Sequence, residues 1–243
     1  MENSSEVFDR MHAPIAQAFP IRENYQYTRE MGLVLSFETD EDALRRVLPE
    51  CLEIDGPATG FVKVTQHKSS VFGPYTGVYI GAKTCFEGQP GNHIISGIKT
   101  SQPGAIAGRE LWGMPYQVGN VAMSWVDEIL QIEVSRASIP FLTMQVQLTN
   151  RSGPISYYGT LRTHVARKID FENWNAGYAL VAVDSTATTE GVESWDAVAS
   201  LTLGAGTPID DWSVLPVRRV VGARYETGGQ ITLPMGRIIH SWP

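Results

Sequence analysis

Apolar and polar residues alternate along much of this chain. Leu142, Met144, Val146 and Leu148 alternate with Thr143, Gln145, Gln147 and Thr149. Leu130, Ile132 and Val134 alternate with Gln131, Glu133 and Ser135. A period of two sends successive side chains to opposite faces of a pleated strand. With an apolar run at 121–125 and Asp127-Glu128 as the turn, this pattern predicts a hairpin. Further strands are predicted at 31–37, 60–66, 77–86, 156–165, 178–185, 197–203 and 230–239, with a turn cluster at 150–154. Helical signals are few. Residues 39–48 place Thr39 as an N-cap, acidic residues in the first turn and apolar residues at 43, 44, 47 and 48, and Pro49 stops the run. Short helical turns are expected within 171–175 or 204–214. The predicted class is mainly β (α+β): one antiparallel sheet curled into a barrel or cone, with one or two short helices, as a single domain over residues 1–243. The mouth or interior of such a sheet is a place for a small ligand.

Composition narrows the function classes. At 43% hydrophobic and 19% charged residues the chain can build a substantial core. A net charge of −7 without any lysine- or arginine-rich run argues against nucleic acid and against an anionic membrane surface as partners. The polar, acidic start Met1-Glu2-Asn3-Ser4-Ser5-Glu6 does not resemble a secretory signal, and no run is apolar for the ~18 residues of a membrane span, so a cytoplasmic location is expected. Cys51 and Cys85 show no C-x-x-C spacing and read as reduced thiols. The five histidines never pair at i, i+4, which argues against structural zinc. No nucleotide loop, haem pattern or flavin fingerprint is present, and no cofactor is inferred.

The densest candidate for chemistry is Gly104-Ala105-Ile106-Ala107-Gly108-Arg109-Glu110-Leu111-Trp112-Gly113-Met114-Pro115-Tyr116-Gln117. Read on its own, Gly108 and Gly113 allow unusual backbone angles, Pro115 fixes a turn, and Arg109 and Glu110 are either a buried, mutually paired brace or functional charges. The run resembles acetoacetate decarboxylases, whose motif reads G-R-E, four intervening residues, then P-K-K. The likeness extends to Ala13-Pro14 through Ala18-Phe19-Pro20, to Thr39-Asp40 through Ala43-Leu44-Arg45, and to Leu48-Pro49-Glu50-Cys51-Leu52-Glu53-Ile54-Asp55. It ends in Leu215-Pro216-Val217 and Ile231-Thr232-Leu233-Pro234. The resemblance therefore implies the family fold, and a homo-oligomer, across nearly the whole chain.

What the resemblance implies for activity is different. In the family the first lysine of P-K-K forms a Schiff base with a β-keto acid, and the second lowers its pKa. Here those positions are Tyr116 and Gln117, and neither a phenol nor an amide forms an imine. Two family glutamates are also replaced, by Val62 after Phe61 and by Gly77 after Tyr75-Thr76. The family's arginine on the first strand remains as Arg29, followed by Glu30.

Arg29 shares strand parity with Tyr25, Tyr27, Met31, Leu33, Leu35 and Phe37, so a guanidinium is expected on an otherwise apolar face. It needs a carboxylate partner such as Glu110, or an anionic or carbonyl ligand, and the ligand is the expectation taken here. The lysines are Lys63, Lys68, Lys83, Lys99 and Lys168. Lys83 shares parity with Gly77, Tyr79 and Gly81 and is the one weighed as a replacement nucleophile, although an exposed strand lysine is the simpler expectation. His67 and His93 titrate near neutrality when unperturbed and are weighed as general bases against surface or capping roles. The expected catalytic set is Arg29, Tyr116, Gln117 and Glu110, with Tyr75, Trp112, His67 and Met114 against the substrate. Arg29 and Tyr116 would stabilise an enolate, with Arg29 or another cation tuning the Tyr116 phenol downward.

The leading expectation is an enzyme with non-imine chemistry on a small carbonyl or carboxylate substrate. Enolisation, dehydration, cyclisation or retro-aldol cleavage of a β-dicarbonyl or polyketide-like compound all suit such a site. Two alternatives stand beside it: a binding protein that retained the pocket without catalysis, and a residual decarboxylase working by another mechanism, such as a lysine elsewhere.

Overall fold

A computed structural model describes residues 22–154, 161–170 and 175–242. The stretch Ala13 to Pro20 that carries part of the family resemblance lies outside the described residues, as do 156–160 of one predicted strand and 171–174 of one expected helical turn. The chain opens with β1 (Asn24–Glu38), α1 (Glu41–Val47), β2 (Glu53–Ile54), β3 (Thr59–Ser70), β4 (Tyr75–Phe86) and β5 (Gln89–Lys99). After α2 (Gln102–Trp112) come β6 (Tyr116–Val118), β7 (Asn120–Val126), β8 (Ile129–Arg136) and β9 (Ile139–Ser152). The C-terminal third holds β10 (Leu161–Asp170), β11 (Asn175–Ala182), β12 (Thr186–Ala187), β13 (Glu193–Leu203), β14 (Arg219–Thr227), β15 (Gln230–Pro234) and β16 (Arg237–Trp242).

These strands form one 16-stranded sheet with a main path β16-β11-β10-β5-β4-β3-β1-β14-β13-β9-β8-β7. The mainly-β class is as the alternation predicted, with one departure. The sheet is mixed, because β5 pairs in parallel with both β10 and β6. The second parallel pair has a simple cause: α2 is the crossover between β5 and β6, and parallel neighbours need such a connection.

Turn-forming glycines and a proline concealed α2 in the sequence, yet its ends are well defined. Ser101 is the N-cap and its hydroxyl accepts from the Gly104 N–H at 3.2 Å. Pro103 sits in the first turn, where a missing N–H costs little. Gly113 closes the helix in the left-handed region at φ 70°, its N–H donating to the Arg109 carbonyl. Gly108 is helical, so of the two glycines expected to take unusual angles only Gly113 does. At α1 the N-cap is Asp40 rather than Thr39.

Two apolar clusters organise the interior. The larger joins Leu33, Leu35 and Phe37 of β1 to Val62, Val64, Val78 and Ile80, to α1 through Leu44, and to Ile132, Val134, Leu142 and Met144 of the hairpin strands. The smaller is aromatic and includes Tyr25, Tyr27, Phe72, Tyr75, Trp112 and Tyr116. Expected strand 230–239 is broken into β15 and β16, because Met235 and Gly236 interrupt it after Pro234. A short 3-10 turn at Trp212–Val214 lies within the expected 204–214 window.

Candidate functional site

The β5-α2-β6 unit brings the chemistry together. Lys99 is the last residue of β5 and Tyr116 the first of β6, with Tyr116 opposite Gly97 in the parallel register. The Tyr116 ring is wedged between strand and helix. A Cβ at Gly97 would lie 2.6 Å from Tyr116 Cδ1, and one at Gly108 would lie 2.5 Å from Tyr116 Cδ2. Both positions therefore have to be glycine for the phenol to occupy this slot. The glycine of Gly108-Arg109-Glu110 thus serves close packing rather than a turn.

Lys99 reaches into the same space. Its Nζ donates to the Gly104 carbonyl at 3.0 Å, and it lies 4.3 Å from the centre of the Tyr116 ring and 5.0 Å from that of Tyr75. The residue is only 8% exposed, rare for lysine. Burial disfavours the charged amine and pulls the Lys99 pKa down to about 7, so both protonation states are populated near neutrality.

These side chains border a cavity of about 70 Å³. One ordered water needs about 10–15 Å³, so the space suits a small molecule rather than an extended chain. Its aromatic wall is Tyr27, Tyr75, Tyr79, Trp112 and Tyr116, with Met114, Ile231 and Leu233 adding apolar surface. Among the described residues its charged groups are Lys63, Lys99 and Arg162, and no carboxylate lines it. Arg162 hydrogen-bonds the Tyr79 hydroxyl, which partly offsets the upward push of burial on that phenol. Burial likewise raises the pKa of Tyr27, Tyr75 and Tyr116, so all three remain neutral donors in any ordinary buffer.

His67 lines the cavity between the rings of Tyr27 and Tyr75, at centroid distances of 5.0 and 4.7 Å. Burial, then the nearby charges of Lys99, Lys63 and Arg29, lower its pKa to about 3. It is therefore a neutral imidazole, not a general base poised near pH 7. Its Nδ1 is buried without a hydrogen-bond partner among the described residues.

The expected site residues divide cleanly. Tyr116, Tyr75, Trp112, His67 and Met114 all line the cavity. Trp112 is anchored there by an Nε1–H bond to the Pro234 carbonyl at 2.8 Å. Arg29 does not line it. A bulge in β1 at Arg29 turns the guanidinium into a buried pair with Glu226 of β14, Nη1 to Oε2 at 2.7 Å, and Nε donates to the Gly228 carbonyl at 2.7 Å. Glu226 also accepts from Ser194 Oγ at 3.1 Å. The parity argument located Arg29 on the buried face correctly, and the acid that pairs with it is Glu226, more remote in sequence than Glu110. Glu110 and Arg109 are exposed on α2, so they form no buried brace, and Arg109 Nη1 instead donates to the Tyr116 carbonyl at 3.2 Å. Gln117 is half-buried on β6 and is not among the lining residues. The expected downward tuning of Tyr116 by Arg29 or another cation is outweighed: Arg162 pulls the pKa down, but burial dominates and raises it.

Lys83 is exposed on β4, the simpler of its two expectations. His93 is not at the surface: it is buried on β5 with Nδ1 2.9 Å from Thr163 Oγ1, and its pKa falls to about 3. Lys63, Lys99 and Arg162 were not singled out from the sequence. The signal for Lys99 was present: an apolar run Ile94-Ile95-Ser96-Gly97-Ile98 leads into it, and Ser101-Gln102-Pro103 follows as a helix start.

The model of the acetoacetate decarboxylase (ADC) family matches residues 11–241. An acetoacetate decarboxylase of Burkholderia mallei is 25% identical over 237 residues, covering 93% of this chain and 92% of that protein. One from Burkholderia cenocepacia is 26% identical over 241 residues, with the same coverage of 93% and 92%. Among solved structures, an acetoacetate decarboxylase superposes with a TM-score of 0.87 at 21% identity, covering 99% of each chain. The enduracididine biosynthesis enzyme MppR complexed with pyruvate superposes at 0.73 and 18% identity, covering 93% of this chain and 94% of that one. With Gly108-Arg109-Glu110 on α2 and Pro115 leading into β6, this chain belongs to the acetoacetate decarboxylase family, and carries Tyr116 and Gln117 where the family motif has its two lysines.

Proposed function

We propose that this chain is a lyase-type enzyme acting on a small oxo acid or β-dicarbonyl compound through an enol or enolate, without a lysine at position 116. Members of its family are enzymes. The observation that carries the reading is the charge of the cavity: Lys63, Lys99 and Arg162 line it with no carboxylate among the lining residues. Cations held in an aromatic, poorly solvated wall favour a substrate carboxylate and an enolate oxygen far more than they would in water. The neutral phenol of Tyr116 adds a hydrogen-bond donor for a carbonyl oxygen. The cavity size favours the small end of the range of substrates, and the pyruvate complex of MppR on the same fold is in keeping with an oxo acid.

Enolate formation leads to dehydration, cyclisation or carbon–carbon cleavage according to what the substrate carries. The experiment is a panel of 2-oxo and 3-oxo acids and β-diketones, followed by nuclear magnetic resonance for product and for exchange of the α-protons in deuterated water. Exchange or turnover with an oxo acid is the expected result. Retention of an oxo acid without exchange would make the chain a binding protein, and no binding across the panel would refute the reading. Self-association belongs to the same proposal, since β7 ends the sheet with Trp125 and Val126 about half exposed. Light scattering at several concentrations tests it.

A further inference from the structure

The oxo-acid reading leaves the activation of the carbonyl to be explained, and the surroundings of Lys99 bear on it. Its Nζ borders the cavity, is held from one side by the Gly104 carbonyl, and meets the faces of Tyr75 and Tyr116. Among the described residues, none that lines the cavity is an acid that would lock Lys99 in its ammonium form. The substitution at position 77 contributes. A Cβ on Gly77 would lie 3.9 Å from Lys99 Cγ, so a glutamate there would run alongside the lysine. Glycine leaves no carboxylate at this position beside the lysine stem.

We infer that Lys99 is the amine nucleophile of this pocket, condensing with the carbonyl of a small oxo acid to form an iminium on β5 instead of at the start of β6. The inference rests on the oxo-acid reading above, puts an enamine in place of the enolate, and replaces the expectation of a site without an imine. The Nζ lone pair forms the C–N bond and the carbonyl C–O bond breaks. The oxygen leaves as water with one proton from Nζ and one from solvent, and the iminium retains one N–H and a single positive charge. Nothing is oxidised or reduced. When a bond to the neighbouring carbon then breaks, its electron pair moves to nitrogen as an enamine. The aromatic faces that flank Nζ stabilise the iminium as they do an ammonium, so charge is held where the product needs it. The pKa of about 7 leaves a large share of free amine at neutral pH, in keeping with this role.

The test is reductive trapping on the full chain. Acetoacetate or pyruvate is added at about pH 8, where the amine is mostly free; borohydride follows, and peptide mass mapping locates the adduct. A reduced adduct on the peptide carrying Lys99 is expected in the unaltered chain, which needs no variant to fold. The same adduct should persist when the exposed Lys83 of β4 is changed, Lys83→Met, and disappear in Lys99→Arg, which keeps the cation. An adduct confined to Lys63 or another lysine overturns the assignment. No adduct, with binding of either acid detected by calorimetry, overturns the imine while sparing the oxo-acid reading. Absence of both adduct and binding removes both.

Discussion

Lys99 Nζ rests 4.3 Å from the centre of the Tyr116 ring, so the residue standing where the family has its imine-forming lysine is the aromatic platform for another lysine. The relationship depends on the two strands being parallel. β5 presents Lys99 at its C-terminal end, α2 crosses over, and β6 begins with Tyr116 alongside. Neither residue would meet the other if β5 and β6 were joined by a hairpin.

Tyr116→Phe keeps the ring and removes only the hydroxyl. If the phenol donates to the substrate carbonyl in the transition state, kcat/KM should fall by roughly 10- to 100-fold, about 1.4–2.7 kcal/mol. Folding stability should change little. Steady-state kinetics with the oxo acid identified from the panel, beside a urea titration, checks both.

Gly108→Ala should displace the Tyr116 ring, since the new Cβ would sit 2.5 Å from Cδ2 and the ring cannot retreat through Gly97. A cost of about 1–3 kcal/mol is expected, the usual range for overpacking. Pairing it with Tyr116→Ala should recover part of that cost, so a double-mutant cycle should be non-additive. Additivity would mean that the ring does not occupy this slot.

Arg29→Ala breaks the buried Arg29–Glu226 ion pair and should destabilise the fold by about 3–5 kcal/mol. Replacing both residues with apolar side chains, Arg29→Met with Glu226→Leu, should recover most of that loss. Chemical denaturation reads the result. A folded Arg29→Ala chain of undiminished stability that fails to bind any oxo acid would instead return Arg29 to the binding site.

Stability should fall on acidification below about pH 6.5. His67, His93 and His164 are buried neutral, with pKa values lowered to about 3, 3 and 4 chiefly by desolvation. Between their unfolded and folded pKa values the unfolded chain binds more protons, so stability drops as pH falls, by up to about 1.4 kcal/mol per pH unit for each histidine. Urea midpoints at several pH values between about 4 and 7 would measure the slope.

On the alkaline side Lys99 has the same sign for the same reason, desolvation of a cationic group. Its folded pKa of about 7 lies below the unfolded value of 10.5, so stability should rise with pH across that window. Lys99→Met abolishes the rise. The variant should be more stable than the parent near pH 6 and lose that advantage toward pH 10, a comparison that thermal melts in matched buffers would reveal.

The alternation of apolar and polar residues was enough to identify the hairpin strands, β1 with its buried parity, and a mainly-β fold, because a half-buried strand imposes its period directly on the sequence. The strand β5 and helix α2 were harder to read. Buried on both sides or rich in glycine, they carry no clean period, and only the caps at Ser101 and Gly113 mark the helix. The motif around Gly108 and Pro115 led to Tyr116, Trp112 and Met114, and hence to the cavity, because those residues are contiguous with the chemistry.

Sequence alone thus determined the class of the fold, the family likeness and the loss of the lysine at 116, all of which are written locally. Tertiary structure decided which charges are available. Glu226, 197 positions from Arg29 along the chain, claims its guanidinium, whereas Lys63, Lys99 and Arg162 converge on one cavity from β3, β5 and β10. Pairing between distant strands and the desolvation of a side chain are properties of packing across the sheet, and no local pattern encodes them.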